Sequence, residues 1–598
     1  MPADPQPELD SSPLNTAVPP RPGGSTAMRR GAPGDRGSAG AADGRGSRAD
    51  ERRRGAAAAV WRYAPILVFA LGAALRLRHY LYGRSLWVDE AFLSLNVAQR
   101  SFGGLVRPLG WDQTAPLLFL WLQKVAVTLF GVNEYALRLV PLLAGLLLMP
   151  AMFALGRRLL GRPAGVVAAV AAALSPLLIR YSNEADSYSV DALVTATLAI
   201  LTLRVVDSPE DGRAWLWLAL AGAFGVAAST PSVFVLAGVG VALITAPAVR
   251  SAPHGLARTV ALGTLWGVLF GLVYLLLLRP AASSEFLRQF FGPAFLNPRA
   301  PNLRSRVVEA VWRTVQPATY LPPIPVAAKV LVLGIAGAGL VSLARRRGPA
   351  AAALFALPLA GAYAAAVVEQ YPIVQRTMLF AAPLLIVLLI AGGIAVSAWL
   401  PRALARPALI LGALVLTLPA ADADVRDALD PWHGWDARTA VRDLQRLSAP
   451  GEPVYVTYYG RPGYAFYTTD WSAPDTARLN WWALARSARV AGDAVLRDSG
   501  TGDPFARPYR GRTELAQRLP PGLFRTFLGD SMLPPRSIDW TERDAARIQA
   551  HAKPYAWLLF AASGEKTALT DAIARRGGRI VYRNARAPNM YLYRVRFD

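Results

Sequence analysis

A series of long apolar blocks constrains this sequence more than any other feature, because few folds besides a membrane bundle can absorb them. Ala57–Ala74, Ala164–Leu178, Trp215–Ala228, Val260–Leu278, Val326–Leu343, Ala350–Val368 and Met378–Leu400 are nearly free of charge. About 20 residues at 1.5 Å rise cross the hydrocarbon core, so blocks of about 18 or more read as transmembrane helices. None carries the polar face that a helix half-buried in a soluble core would need. Composition agrees: of 598 residues 53% are hydrophobic and 17% charged, which is little charge for a soluble domain.

The charge that is present has a pattern. A net charge of +24 invites a nucleic-acid partner, but the arginines gather in the N-terminal tail and in short loops between apolar blocks. That is where the positive-inside rule puts them, so membrane lipids are the expected partner and nucleic acid is not. There is no cysteine, hence no disulfide and no thiolate metal site. His79, His254, His433 and His551 are too scattered for a structural zinc. No GxGxxG or P-loop occurs, and no nucleotide cofactor is expected.

Residues 1–55 are rich in Pro, Gly, Ala, Ser and Arg without hydrophobic period, and read as a disordered basic tail. Arg52–Arg54 precede the first block and nothing resembles a cleavage site, which predicts a retained anchor with a cytoplasmic N-terminus. The loops holding Arg157–Arg162, Arg204–Arg213, Arg250–Arg258, Arg345–Arg347 and Arg402–Arg406 can share the cytoplasmic side only if Pro116–Phe130 does not span. That segment is short and interrupted by Gln123 and Lys124, and reads as an interfacial or re-entrant helix. The expected fold is mainly α, a polytopic membrane protein of about eleven spans over residues 56–421, with external loops at 80–134 and 280–325. An external α/β domain follows at 422–598. There Pro453–Thr457 and Tyr555–Ala561 read as buried strands, Lys566–Arg576 as an amphipathic helix, and Arg579–Tyr582 with Met590–Arg596 as a hairpin.

The polar motifs fall on the external side. In Arg84-Ser-Leu-Trp-Val-Asp89-Glu90-Ala91 an acidic pair lies near the headgroups, where ionised groups are costly unless solvated, paired or metal-bound. One carboxylate could take a proton from an acceptor hydroxyl, or the pair could ligate Mg²⁺ or Mn²⁺; an exposed acidic turn of no consequence fits the spacing as well. Trp111-Asp112-Gln113-Thr-Ala-Pro116 leads into the short helix, with Asp112 placed either to face Asp89 across a shallow cavity or merely to start the helix. Glu134 and Arg138 have the i, i+4 spacing of an ion pair at a helix entrance. The densest stretch, Arg180-Tyr181-Ser-Asn-Glu184-Ala-Asp186-Ser-Tyr188-Ser-Val-Asp191, joins two apolar helices, where so much charge marks a site. Arg376 begins a late helix, and its fork of donors suits a phosphate as well as it suits snorkelling to the interface.

Taken in order, Trp87-x-Asp89-Glu90, Ala115-Pro116-Leu117, Glu134-x-x-x-Arg138-Leu139, Tyr181-Ser-x-Glu184, Tyr188-Ser189 and the late Arg376 resemble the GT-C glycosyltransferases. The similar branch is that of the protein O-mannosyltransferases and the lipid A aminoarabinose transferase, with their bacterial relatives. The resemblance is specific from Arg76 to Arg204. It implies an inverting transfer of a hexose or pentose from a polyprenyl-phosphate donor to a hydroxyl of a glycan, lipid or protein, on the outer face of the cytoplasmic membrane. It implies Asp89 as base with Glu90 as a supporting carboxylate, and Asp112, Gln113 and Pro116 at the sugar pocket. Glu134 and Arg138 would mark the entrance of the second helix, and Tyr181, Glu184 and Tyr188 the next external turn.

Two departures stand out. Asp186 lies where relatives carry Arg or Lys; if that basic residue meets the donor phosphate, the task passes here to Arg376, Arg138 or Arg180, and otherwise the donor or the chemistry differs. Gln113-Thr-Ala-Pro116 replaces the Glu-Lys-Pro of the aminoarabinose transferase. The alternative is a transporter or flippase for an anionic lipid or glycan. It would gather charge at the bilayer midplane and commonly show inverted repeats, whereas here the charges collect at helix ends. The location of the C-terminal domain suggests acceptor recognition.

Overall fold

The computed structural model describes residues 62–110, 113–279, 285–319, 326–429, 434–449, 452–472, 525–528, 539–552, 554–561, 563–584, 587 and 589–598. Eight helices in it are long and apolar enough to cross a membrane: Arg62–Tyr82, Glu134–Leu160, Tyr188–Asp207, Gly255–Leu278, Ala328–Arg347, Pro349–Val367, Thr377–Ser397 and Arg402–Asp427. Three shorter apolar helices, Arg162–Leu174, Gly212–Ala228 and Ser232–Thr245, fall where the sequence also predicts spans, and Pro176–Tyr181 continues the first of them after a break at Ser175. The protein is a multi-pass membrane protein. The expected tail at 1–55 lies outside the described residues.

Burial separates the central helices from the peripheral ones. Thr377–Ser397 is 72% buried over its most apolar window and Tyr188–Asp207 is 67% buried, whereas Gly255–Leu278 is 11% buried and Arg402–Asp427 6%. Apolar helices left that exposed would be an aggregation surface in water and are at home only against lipid. Arg376, the residue before the most buried span, is thus anchored to the rigid centre of the bundle.

The arginine-bearing ends converge. Arg158 pairs with Asp207 at 2.9 Å, Arg347 reaches Asp207 at 3.4 Å and donates to the Arg158 carbonyl at 2.8 Å, and Arg258 donates to the Pro209 carbonyl. Four of the five arginine-bearing loops that the positive-inside argument put together therefore share one end of the bundle. Leu117–Phe130 is a 14-residue helix, too short to cross. Its two polar residues, which read as interruptions, are structural. Gln123 donates to the Leu137 carbonyl, and Lys124 donates to the carbonyls of Val97 and Ala98, closing the C-terminus of the Val88–Gln99 helix.

Helices that the sequence did not suggest include Val88–Gln99, which replaces the expected loop around the acidic pair, and Leu303–Thr319 within the loop 280–325. The C-terminal region holds a five-stranded sheet of β1 (Pro453–Val456), β2 (Arg525–Leu528), β3 (Tyr555–Phe560), β4 (Gly578–Arg583) and β5 (Tyr591–Phe597), in the order β2-β1-β3-β5-β4. β1 lies parallel to β2 and β3, while β3–β5 and β5–β4 are antiparallel. The fully buried run Val454–Val456 and the near-continuous apolar run of β3 suit central strands covered on both faces.

Candidate active site

Gly83, with φ +58, turns the chain sharply after the first helix, and a side chain there would also strike the Tyr135 ring. The strap Arg84–Trp87 then delivers Val88–Gln99, whose first turn carries both acids. One residue apart on a helix, they face different ways. The Asp89 side chain is 25% exposed and that of Glu90 is 0% exposed.

Glu90 is fully engaged. Its Oε1 accepts from Arg138 Nε and the Ala185 amide, both at 2.8 Å, and its Oε2 accepts from Arg138 Nη2 at 2.8 Å and from the Trp87 amide at 3.2 Å. The last bond ties the Glu90 side chain back to the backbone at the N-cap position of its own helix. Burial alone would raise this carboxyl, but Arg138 and Arg84 overturn that and hold it below the usual carboxylate range. Arg84 also reaches Glu184 at 3.3 Å, and Arg180 donates to Glu184 at 2.8 Å. Glu90, Glu184, Arg84, Arg138 and Arg180 therefore form one buried network that ties the strap to the turn before Tyr188.

Two expectations change here. Arg138 does not pair with Glu134; it takes Glu90 instead, while Glu134 accepts from Arg438 at 2.5 Å and from the Tyr467 hydroxyl at 2.8 Å. Both partners lie hundreds of residues away, which i, i+4 reasoning cannot foresee. The metal expectation also fails to fit Glu90, because each of its oxygens already accepts two hydrogen bonds and a cation would have to displace buried donors. Among the described residues no three His, Asp or Glu side chains gather to hold a metal ion.

Asp89 faces a cavity of about 390 Å³. Its polar lining includes Asp89, Gln113, Asp186, Ser187, Tyr188, Asp191 and Arg376; Pro116, Phe234, Phe270, Tyr274, Leu278, Phe290 and Phe291 supply much of the rest. Arg376 Nη1 donates to Asp89 Oδ2 at 2.5 Å, and its guanidinium lies 5.8 Å from the Trp87 ring centroid and 6.0 Å from that of Phe291. Burial pushes the Asp186 carboxyl up to about 7, with Arg376 opposing the shift and Asp89 and Glu184 adding to it. Asp191 is 4% exposed and its Oδ1 meets no donor. Tyr181 packs edge-on against Tyr188 at 5.3 Å and lines a second cavity of about 340 Å³ that also meets Arg376. Asp112 lies outside the described residues.

Of the three arginines that could meet a phosphate, then, Arg138 and Arg180 are committed to Glu90 and Glu184, and Arg376 lines the cavity. Arg288, Glu369, Tyr371 and Tyr459 also line it although the sequence reading gave them no role. Tyr459 arrives from the C-terminal region, and only the aromatic density of Tyr455–Tyr467 hints at it.

Residues 114–274 match the family model of dolichyl-phosphate-mannose-protein mannosyltransferases. This stretch is similar to that family of membrane glycosyltransferases. The matched stretch contains Arg138, Tyr181, Glu184, Asp186 and Tyr188, whereas Asp89 and Arg376 flank it in sequence. Among solved structures, ArnT from Cupriavidus metallidurans in the apo state aligns over 90% of this chain and 98% of its own at 15% identity, with a TM-score of 0.47. The same protein bound to undecaprenyl phosphate aligns over 90% and 97% at 13% identity, TM-score 0.46. The oligosaccharyltransferase of Archaeoglobus fulgidus, in complex with Zn and sulfate, aligns over 67% and 61% at 15% identity, TM-score 0.42. No curated protein sequence matches the chain.

Proposed function

We propose that this protein is an inverting glycosyltransferase that moves a sugar from a polyprenyl-phosphate donor to an acceptor hydroxyl on the outer face of the cytoplasmic membrane. The observation that carries the reading is the Asp89–Arg376 contact on the wall of the cavity: a candidate base and a candidate phosphate cation face one reaction volume. Phe270, Tyr274 and Leu278 of that wall belong to the lipid-exposed helix Gly255–Leu278, so the cavity borders the bilayer from which a lipid-linked donor would come. The location of the arginine-rich ends supports a cytoplasmic N-terminus and an extracytoplasmic C-terminal domain.

In this reading Arg376 leaves Asp89 to bind the donor phosphate. Asp89 then accepts the proton of the acceptor hydroxyl, whose oxygen bonds to the anomeric carbon from the face opposite the phosphate. The carbon–oxygen bond to phosphate breaks, and polyprenyl phosphate departs with the bonding pair, its charge held by Arg376. A phosphate needs little protonation to leave, so one base and one cation suffice. Gln113, Ser187, Tyr188 and Asp191 offer donors and acceptors for sugar hydroxyls. The acceptor, a glycan, lipid or protein, enters from the external side.

The test is sugar transfer in membranes supplied with a panel of radiolabelled polyprenyl-phosphate sugars. Transfer from at least one of them, lost on Asp89→Asn, is the expected result. A wild-type protein that transfers from none of them, while translocating an anionic lipid across vesicles, would overturn the reading.

A further inference from the structure

The strap that delivers Asp89 is gripped by the C-terminal region at consecutive points. Arg438 Nη2 donates to the Gly83 carbonyl at 2.7 Å, and the Arg438 amide donates to Ser85 Oγ at 3.2 Å. The Leu86 amide donates to the Tyr467 hydroxyl oxygen at 2.8 Å, and Ser85 Oγ lies 3.2 Å from that same oxygen. The Tyr467 proton goes to Glu134, which Arg438 also holds, and the guanidinium stacks 5.7 Å from the Tyr467 ring centroid. One carboxylate at the start of the Glu134–Leu160 helix thus orients both gripping side chains. From the opposite side Arg138 donates to the carbonyls of Arg84 and Ser85.

Apolar contacts repeat the pattern one turn further on. Val88 and Phe92 pack with Trp87, Trp435 and Tyr459, and Tyr459 lines the reaction cavity. Trp87 is the ring beneath Arg376. The C-terminal region therefore touches the backbone before Asp89, the helix face beside it and the aromatic support of its ion-pair partner.

We propose that Tyr467 and Arg438, oriented by Glu134, are positioning residues for Asp89, which makes the C-terminal region a structural part of the reaction centre and not only a place where acceptors dock. This rests on the functional reading given above. Backbone groups of the strap must point to fixed partners for Asp89 to sit against Arg376. A misplacement of 1 Å at a reacting group can cost about a hundredfold, so losing one hydroxyl from the grip should be felt in turnover and not in donor affinity.

Full-length protein in lipid nanodiscs would be compared as wild type, Tyr467→Phe and Arg438→Gln. Two readouts apply: hydrogen exchange of the peptide spanning Gly83–Glu90, and steady-state transfer with donor and acceptor each varied. The expected result is faster exchange in that peptide for both variants, with kcat about tenfold lower and donor KM unchanged. Unchanged exchange in both variants overturns the proposal, whatever happens to turnover. A raised acceptor KM with unaltered kcat also overturns it, because that pattern belongs to a docking contact. If wild type transfers from no donor, the functional reading falls, while the exchange comparison still decides whether the grip exists.

Discussion

Arg376 donates to Asp89 at 2.5 Å, joining two side chains 287 residues apart. The candidate base is thereby held by the cation that a phosphate would draw away. Donor binding and release of the base become one event, which favours donor before acceptor. Asp89→Asn should lower transfer by about two to four orders of magnitude, the range for a lost general base. Binding of polyprenyl phosphate should persist or tighten, because Arg376 loses its anionic competitor. Transfer assays beside equilibrium binding of labelled polyprenyl phosphate check both halves.

Arg376→Lys should keep the charge but lose the planar fork and its stacking on Trp87 and Phe291. Donor KM should rise about tenfold, measured by varying the donor at saturating acceptor. An unchanged donor KM would move the phosphate to another residue.

Glu90 should behave differently from its neighbour. Glu90→Ala strips buried Arg138 of its ion-pair partner and leaves Arg84 with Glu184 alone, and breaking a buried pair typically costs about 3–5 kcal/mol. Thermal unfolding in detergent should show a clear fall in Tm for Glu90→Ala and little change for Asp89→Asn. If both variants melt like wild type, the network around Glu90 is not holding the strap.

The pH dependence should centre on Asp186. With its carboxyl pushed up to about 7, it is neutral at pH 6 and charged at pH 8. The charged form faces Asp89 and Arg376 and opposes an incoming phosphate, so donor KM should climb between pH 6 and 8. The stability contribution has the same sign: present below about 3.9, the ordinary Asp value, and lost as pH rises through about 7. Asp186→Asn should flatten the donor KM profile across that window. A profile as steep as wild type would exclude Asp186 as its source.

The membrane architecture was legible because apolar runs of this length have almost no other way to hide their backbone polar groups. The convergence of Arg158, Arg258 and Arg347 at one end follows from the same logic, since unneutralised arginine does not cross easily. The site was legible only in part. Asp89, Gln113, Tyr188 and Arg376 line the cavity, but residue type and spacing could not separate Asp89 from Glu90. That separation comes from Arg138, on another helix, and the Ala185 amide, in the turn before Tyr188, which both reach Glu90. Glu134 illustrates the same limit. Its local spacing to Arg138 is favourable, yet two side chains of the C-terminal region outcompete that pair. Local pairing rules lose whenever a strap needs several partners at once.

Neighbouring acids in a sequence look like redundancy, as though one could stand in for the other. On the Val88–Gln99 helix they cannot, because a single residue step swings a side chain about 100° around the axis. Asp89 opens on the cavity and Glu90 is sealed among arginines, so there is no spare. The reading frame of the strap is then itself a functional quantity: one residue inserted or deleted between Gly83 and Trp87 would conserve every acid and still turn the wrong one toward Arg376.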